Sequence, residues 1–158
     1  MVIIVPFSTK FLRQVRDLWV SSDVLSNTAI KADLSLKEAE SKLVNPDVFS
    51  IVALEGEKAL GAARLCFGKS KKSHCAEFVV FVGKQDRRKG VGSLLLEEIL
   101  FESKKRGLKR LELTVFEDNS PAIKLYEKMG FVKEGVKKEG LQREGKFFDE
   151  IMMARVLD

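Results

Sequence analysis

The stretch "AEFVVFVGKQDRRKGVGSLLLEEIL" limits the folds open to this chain more than any other. A β-branched and aromatic run, nearly all apolar, enters a loop with three adjacent cations and two glycines. That loop opens directly into an apolar run of helical spacing. Glycine costs order at such a place and adjacent cations repel, so the loop is either a solvated turn or is shaped around an anion. The anion reading has a physical basis: the first N–H groups of a helix lack internal acceptors, and the helix dipole adds partial positive charge there. Gly90 and Gly92 would let the backbone approach a phosphate with no Cβ in the way, with Arg87, Arg88 and Lys89 at the rim. No GK[ST] ends the loop, so it is not a Walker loop, and Gly90-Val91-Gly92 lacks the third glycine of a dinucleotide fingerprint.

The rest of the chain alternates short strands and helices with no repeat or linker, so 158 residues read as one domain, 1–158. "VIIVPF" reads as a strand, and "TKFLRQVRDLWVSS" as a helix burying Phe11, Leu12, Val15, Leu18 and Trp19. "SLKEAESKL" reads as a second helix, with Ser35 as N-cap and Glu38 three residues on. Two β-rich runs flank the turn "EGEK". Gly107 is expected to stop the helix after the glycine loop, and "LKRLELTVF" alternates as a strand. "NSPAIKLYEKMGF" reads as a helix with Ser120 as N-cap, Pro121 at the first position and Gly130 at its end, and two strands follow. The expectation is about seven strands and four helices.

The net charge of +5 weakly favours anionic partners, but basic and acidic residues are interspersed, which argues against a polybasic arm. Cys66 and Cys75 lack metal or disulfide-framework spacing, and His74 beside Cys75 reads as a turn residue next to a buried thiol. The N-terminus lacks a basic region before its short apolar run, and no apolar stretch approaches the ~20 residues that cross a bilayer. A cytoplasmic protein with no metal and no membrane contact is expected.

Arg87-x-x-Gly90-x-Gly92 after a buried strand resembles the acyl-CoA pyrophosphate loop of the GNAT superfamily of N-acetyltransferases. "NSPAIKLYEKMGF" resembles that family's next motif, with Asn119 and Tyr126 seven apart, and "FFDEIMMAR" looks like its terminal strand. Lys84 stands where the family usually has proline and Asp86 where many members have an aromatic residue. The resemblance implies an α/β (α+β) fold: a mixed, mostly antiparallel sheet flanked by helices and splayed between strands four and five. It implies acetyl-CoA as co-substrate, held by Val80, Phe81 and Val82 along the pantetheine arm, by Arg87, Arg88, Lys89, Gly90, Val91, Gly92 and Ser93 at the pyrophosphate, and by Asn119 and Tyr126.

The implied reaction is direct attack of a primary amine on the thioester. Tyr126, the only tyrosine, is the implied donor to the departing sulfur; by residue type alone it would read as a core residue. Glu77 opens the fourth strand where many members carry a carboxylate base, and its bland reading is an exposed strand end. Glu117, Asp149 and Glu150 rank below it, and Thr114 stands where some protein α-amine acetyltransferases have Glu. The resemblance favours a small amine or amino acid as acceptor, then a protein N-terminus as in ribosomal-protein acetyltransferases, then polyamines. The acceptor-shaping stretch 25–33 and the last hairpin carry little resemblance, and a homodimer is left open. Two other classes compete: a catalytically silent acyl-CoA-binding module, which would not need Tyr126, and a nucleic-acid-binding domain using "KSKKS" and "RRK", whose loop lacks interleaved aromatics.

Overall fold

The computed structural model describes residues 1–21 and 31–158. Its strands are β1 (Val2–Pro6), β2 (Val48–Glu55), β3 (Lys58–Phe67), β4 (Cys75–Val82), β5 (Arg110–Phe116), β6 (Val132–Arg143) and β7 (Lys146–Val156). The helices among the described residues are α1 (Leu12–Trp19), α2 (Leu36–Leu43), α3 (Val91–Lys105) and α4 (Ser120–Lys128). One sheet runs in the order β1-β2-β3-β4-β5-β7-β6. Every pairing is antiparallel except β4 with β5. This is the mixed seven-stranded sheet the sequence led us to expect.

Strand alternation divides the sheet into two apolar faces. Ile51, Ala63, Leu65, Phe78, Leu111, Leu113, Ile151 and Met153 turn to one side, where α3 buries Val91, Leu95, Leu96 and Ile99 against them. Ala122, Ile123 and Tyr126 of α4 and Met129 at its C-cap pack on the same core, as their spacing predicts. Val52, Ala62 and Phe81 turn to the other side, against Val15 and Trp19 of α1 and Ala39 and Leu43 of α2.

Local signals set most boundaries. Ser35 and Glu38 form the expected capping box: the Ser35 hydroxyl accepts from the Glu38 N–H (3.1 Å), and the Ser35 N–H donates to the Glu38 carboxylate (2.8 Å). Ser35→Ala is expected to cost about 1 kcal/mol, seen as a lower denaturant midpoint with unchanged slope. Helix α4 differs from expectation at its start. Asn119, not Ser120, is the cap, its side-chain oxygen accepting from the Ala122 N–H (3.4 Å), so Pro121 falls at the second helical position. Asn and Ser cap equally well, and the chain direction leaving β5 decides between neighbours. Helix α1 is shorter than its apolar pattern, with residues Thr9–Phe11 in a 3-10 turn before it.

The parallel pair sets the functional geometry. β4 and β5 align only at Cys75–Arg110, Ala76–Leu111 and Glu77–Glu112. Beyond that point β4 stays with β3 as far as Val82, and β5 stays with β7 as far as Phe116. The sheet is therefore split from its middle outwards.

Candidate active site

A cleft of about 570 Å³ opens where β4 and β5 part, walled by both strands, the start of α3 and the start of α4. Because the gap passes between strands, the cleft is reached from both faces of the sheet. Val80 and Val82 pack towards α3, whereas Phe81 stacks on Trp19 of α1 (5.2 Å, 15°). All three line the cleft. From Phe78 onward the edge of β4 that faces β5 has no ladder partner, which exposes backbone donors and acceptors to whatever fills the gap.

The glycine loop forms the wall at the α3 end. Gly90 precedes the helix with φ +80° and a Cβ there would meet nothing within 4 Å, so the residue is required by conformation and faces open space. No side chain caps α3, and its first N–H groups have no acceptor within the helix. Arg87, Arg88, Gly90, Val91, Gly92 and Ser93 line the cleft. Lys89 is not among the lining residues; its ammonium pairs with Asp86 (3.3 Å). Asp86 is buried and also takes Lys58 of β3 (3.2 Å). A buried carboxylate thus staples this loop to the sheet where the family resemblance would put an aromatic residue.

Tyr126 projects from α4 into the α3 side of the cleft. Its ring lies edge-on to Phe78 (5.8 Å) and Phe131 (6.1 Å). Burial pushes its phenol up to about 12, with no neighbouring charge contributing. The group therefore keeps its proton at neutral pH and can donate a hydrogen bond. Asn119 lines the same side; the cap occupies its carbonyl oxygen and leaves its amide donors for the cleft.

The opposite face carries different chemistry. Glu77 is exposed at the last paired position of β4 and is the only carboxylate among the lining residues described. The rivals are engaged elsewhere. Asp149 pairs with Lys138 (3.0 Å) and accepts the Glu139 N–H (3.0 Å), the contact that chiefly holds its carboxyl below the usual range. Glu117 accepts the Asp149 N–H (3.1 Å), and Glu150 approaches Lys137 (3.9 Å). Cys66 lies across from Glu77 in the β3–β4 register. Burial pushes its thiol up, against a smaller pull from Arg64, and Glu77 adds a lesser push. A thiol so protonated is a poor nucleophile.

Arg64, which also lines the cleft, was not singled out in the sequence, although a lone cation inside the apolar strand "ALGAARLCF" was a legible signal. Residues 25–30 of the acceptor-shaping stretch lie outside the described residues. Among the described residues no three His, Cys, Asp or Glu side chains gather as a metal-ligating group, and no helix is long and apolar enough to cross a membrane.

Residues 12–131 match the model of the acetyltransferase (GNAT) family. The chain is 40% identical over 90 residues to the L-amino acid N-acetyltransferase AaaT of Escherichia coli (strain K12), covering 56% of this chain and 55% of that protein. It is 33% identical over 91 residues to the putative phosphinothricin acetyltransferase YwnH of Bacillus subtilis (strain 168), covering 58% and 56%. The chain thus spans about half the length of these curated relatives in its matches. The crystal structure of an acetyltransferase of the GNAT family from Streptococcus pneumoniae superposes with a TM-score of 0.88 at 29% identity, over 99% of this chain and 100% of that one. With the split sheet, the open helix start and a family model matching most of its length, this chain belongs to the GNAT family of acetyltransferases.

Proposed function

We propose that the protein, as one such domain, is an acetyl-CoA-dependent N-acetyltransferase whose acceptor is a small amine, in particular an amino acid. One observation carries this reading: the split in the sheet joins a proton-holding phenol and an open helix start on one face to a lining carboxylate, Glu77, on the other. The likeness to an L-amino acid N-acetyltransferase supports the acceptor class.

The cleft fits coenzyme A. The N–H groups at the start of α3, with Arg87 and Arg88 beside them, suit a pyrophosphate, and the unpaired edge of β4 suits the amides of a pantetheine arm. Lys89 has the supporting role of holding Asp86, and with it the loop. When bound, the thioester supplies the acetyl group to an attacking amine. Glu77 takes the ammonium proton, because an ammonium has no lone pair with which to attack. Tyr126 donates a hydrogen bond to the sulfur as negative charge gathers on it. With its phenol near 12, complete proton transfer to a thiolate of reference pKa ~8.5 is uphill, so hydrogen bonding is its main contribution.

An acceptor panel followed by thiol release from acetyl-CoA tests the reading, with amino acids expected above polyamines. Glu77→Gln is expected to lower turnover most at neutral pH. It should recover in part as pH rises through the acceptor's own pKa, which for an amine beside a carboxylate lies above the ~7.7–8.0 of a peptide α-amine. A pH–rate profile parallel to that of the unsubstituted enzyme would remove Glu77 as the base.

A further inference from the structure

We propose that Arg64 is the residue that reads the acceptor, by pairing with a carboxylate carried next to the amine, so that the acceptor is a zwitterionic amino acid. This rests on the acetyltransferase reading above and narrows it.

Arg64 sits on β3 directly across from Val79, two residues beyond the last β4–β5 pair at Glu77. Its side chain is on the α1 side of the sheet, where its guanidinium lies over the Trp19 ring (5.2 Å). One terminal nitrogen donates to the Lys42 carbonyl at the end of α2 (3.2 Å). Its Nε is buried with no hydrogen-bond partner. A guanidinium has five N–H donors, and no carboxylate among the described residues comes within ion-pair distance of this one. A half-buried cation normally has a counter-ion, because desolvating a charge without one is costly. The ring face and the helix end orient Arg64 and offer it partial negative charge but no full counter-ion, while the lining position opens it to the cleft.

Glu77 supplies the other half of the argument. It is diagonal to Arg64 on the same face, two residues along β4 from Val79, and diagonal neighbours on adjacent strands lie ~7–8 Å apart. A cation and a carboxylate so placed at the mouth of the gap mirror the ammonium and carboxylate of an amino acid. The arrangement would seat the amine beside Glu77 and the gap, with the acid group on Arg64. The same cation disfavours a polyamine by like-charge repulsion and gains nothing from a protein N-terminus, whose neighbouring carbonyl is neutral.

The test compares L-amino acids with their primary amides, which keep the amine and side chain but lose the anion, by thiol release from acetyl-CoA. The amide has the less basic amine and is the more reactive at neutral pH, so chemistry alone favours it. The enzyme is nonetheless expected to prefer the acid by roughly 10–100-fold in kcat/KM, the worth of a hydrogen bond to a charged group. Arg64→Gln should bring that ratio towards one by lowering the acid, Arg64→Lys should restore part of it, and acetyl-CoA affinity should hold. Equal use of acid and amide by the unsubstituted enzyme overturns the role of Arg64 while leaving the acetyltransferase reading intact. An equal loss with both substrates in Arg64→Gln would make Arg64 a brace for Trp19 and α2, and overturns it too. No thiol release with any amine overturns both readings. Should Arg64→Gln fail to fold, Arg64→Lys carries the test: a reduced acid–amide ratio supports the role of Arg64, and an unchanged ratio overturns it.

Discussion

Tyr126→Phe is expected to lower the single-turnover rate by roughly 10²–10⁴-fold, the range for a positioned proton or hydrogen-bond donor. The substitution keeps the ring, and with it the edge-on packing against Phe78 and Phe131, and removes only the hydroxyl. Acetyl-CoA affinity should change by no more than about 0.5–1.5 kcal/mol, the worth of one neutral hydrogen bond. Equal losses in affinity and rate would make Tyr126 a general contact with the co-substrate, and an undiminished rate would remove it from the chemistry. The same residue has a signature in stability. Burial raises its phenol to about 12, above the ~10 of an unfolded chain, so the folded state holds this proton more tightly. Its contribution is fully present below pH ~10 and is lost as pH rises through about 12, because the unfolded chain ionises first. Tyr126→Phe should therefore show less alkaline destabilisation, measurable as melting temperature against pH. Between pH 6 and 9 the phenol is protonated throughout, so Tyr126 is not the source of any bend in the rate profile there.

Gly90→Glu is expected to abolish measurable acetyl-CoA binding, a loss of roughly 10²-fold or more, since like charges brought together cost several kcal/mol. The residue lies at φ +80°, where any side chain adds strain of about 1–2 kcal/mol, so this variant will also melt somewhat earlier. Gly90→Ala separates the two effects: it carries the strain, adds no charge, and its Cβ enters open space. The expected order in a calorimetric titration is unsubstituted, then Ala with modest weakening, then Glu with none detectable. Equal affinity for Glu and Ala variants would mean that no phosphate approaches Gly90, and the loop would revert to a solvated turn.

The local structure of this protein was legible because it depends on neighbours along the chain. The capping box at Ser35 and Glu38, the turn between β2 and β3, and the left-handed glycines Gly107 and Gly130 after α3 and α4 all follow from short-range backbone chemistry. The strand–loop–helix unit was legible for the same reason, since a glycine-rich helix start exposes N–H groups whatever surrounds it. Local competition was harder: Asn119 and Ser120 are equally good caps, and only the path of the chain out of β5 selects Asn119.

What the tertiary structure alone decided concerns residues far apart in sequence. Lys89 reads as a phosphate contact by proximity to Gly90, and only the fold shows that it also pairs with Asp86, a buried carboxylate shared with Lys58 from another strand. The carboxylates Glu77, Glu117, Asp149 and Glu150 look alike in sequence, and only the position where β4 leaves β5 makes Glu77 the one that lines the cleft. Arg64 and Glu77 become diagonal neighbours through the β3–β4 register, which no local pattern encodes. Sequence determines which backbone groups are left unsatisfied at the ends of elements. Strand order and register, set by the burial of two apolar faces at once, determine which distant charges share the cleft.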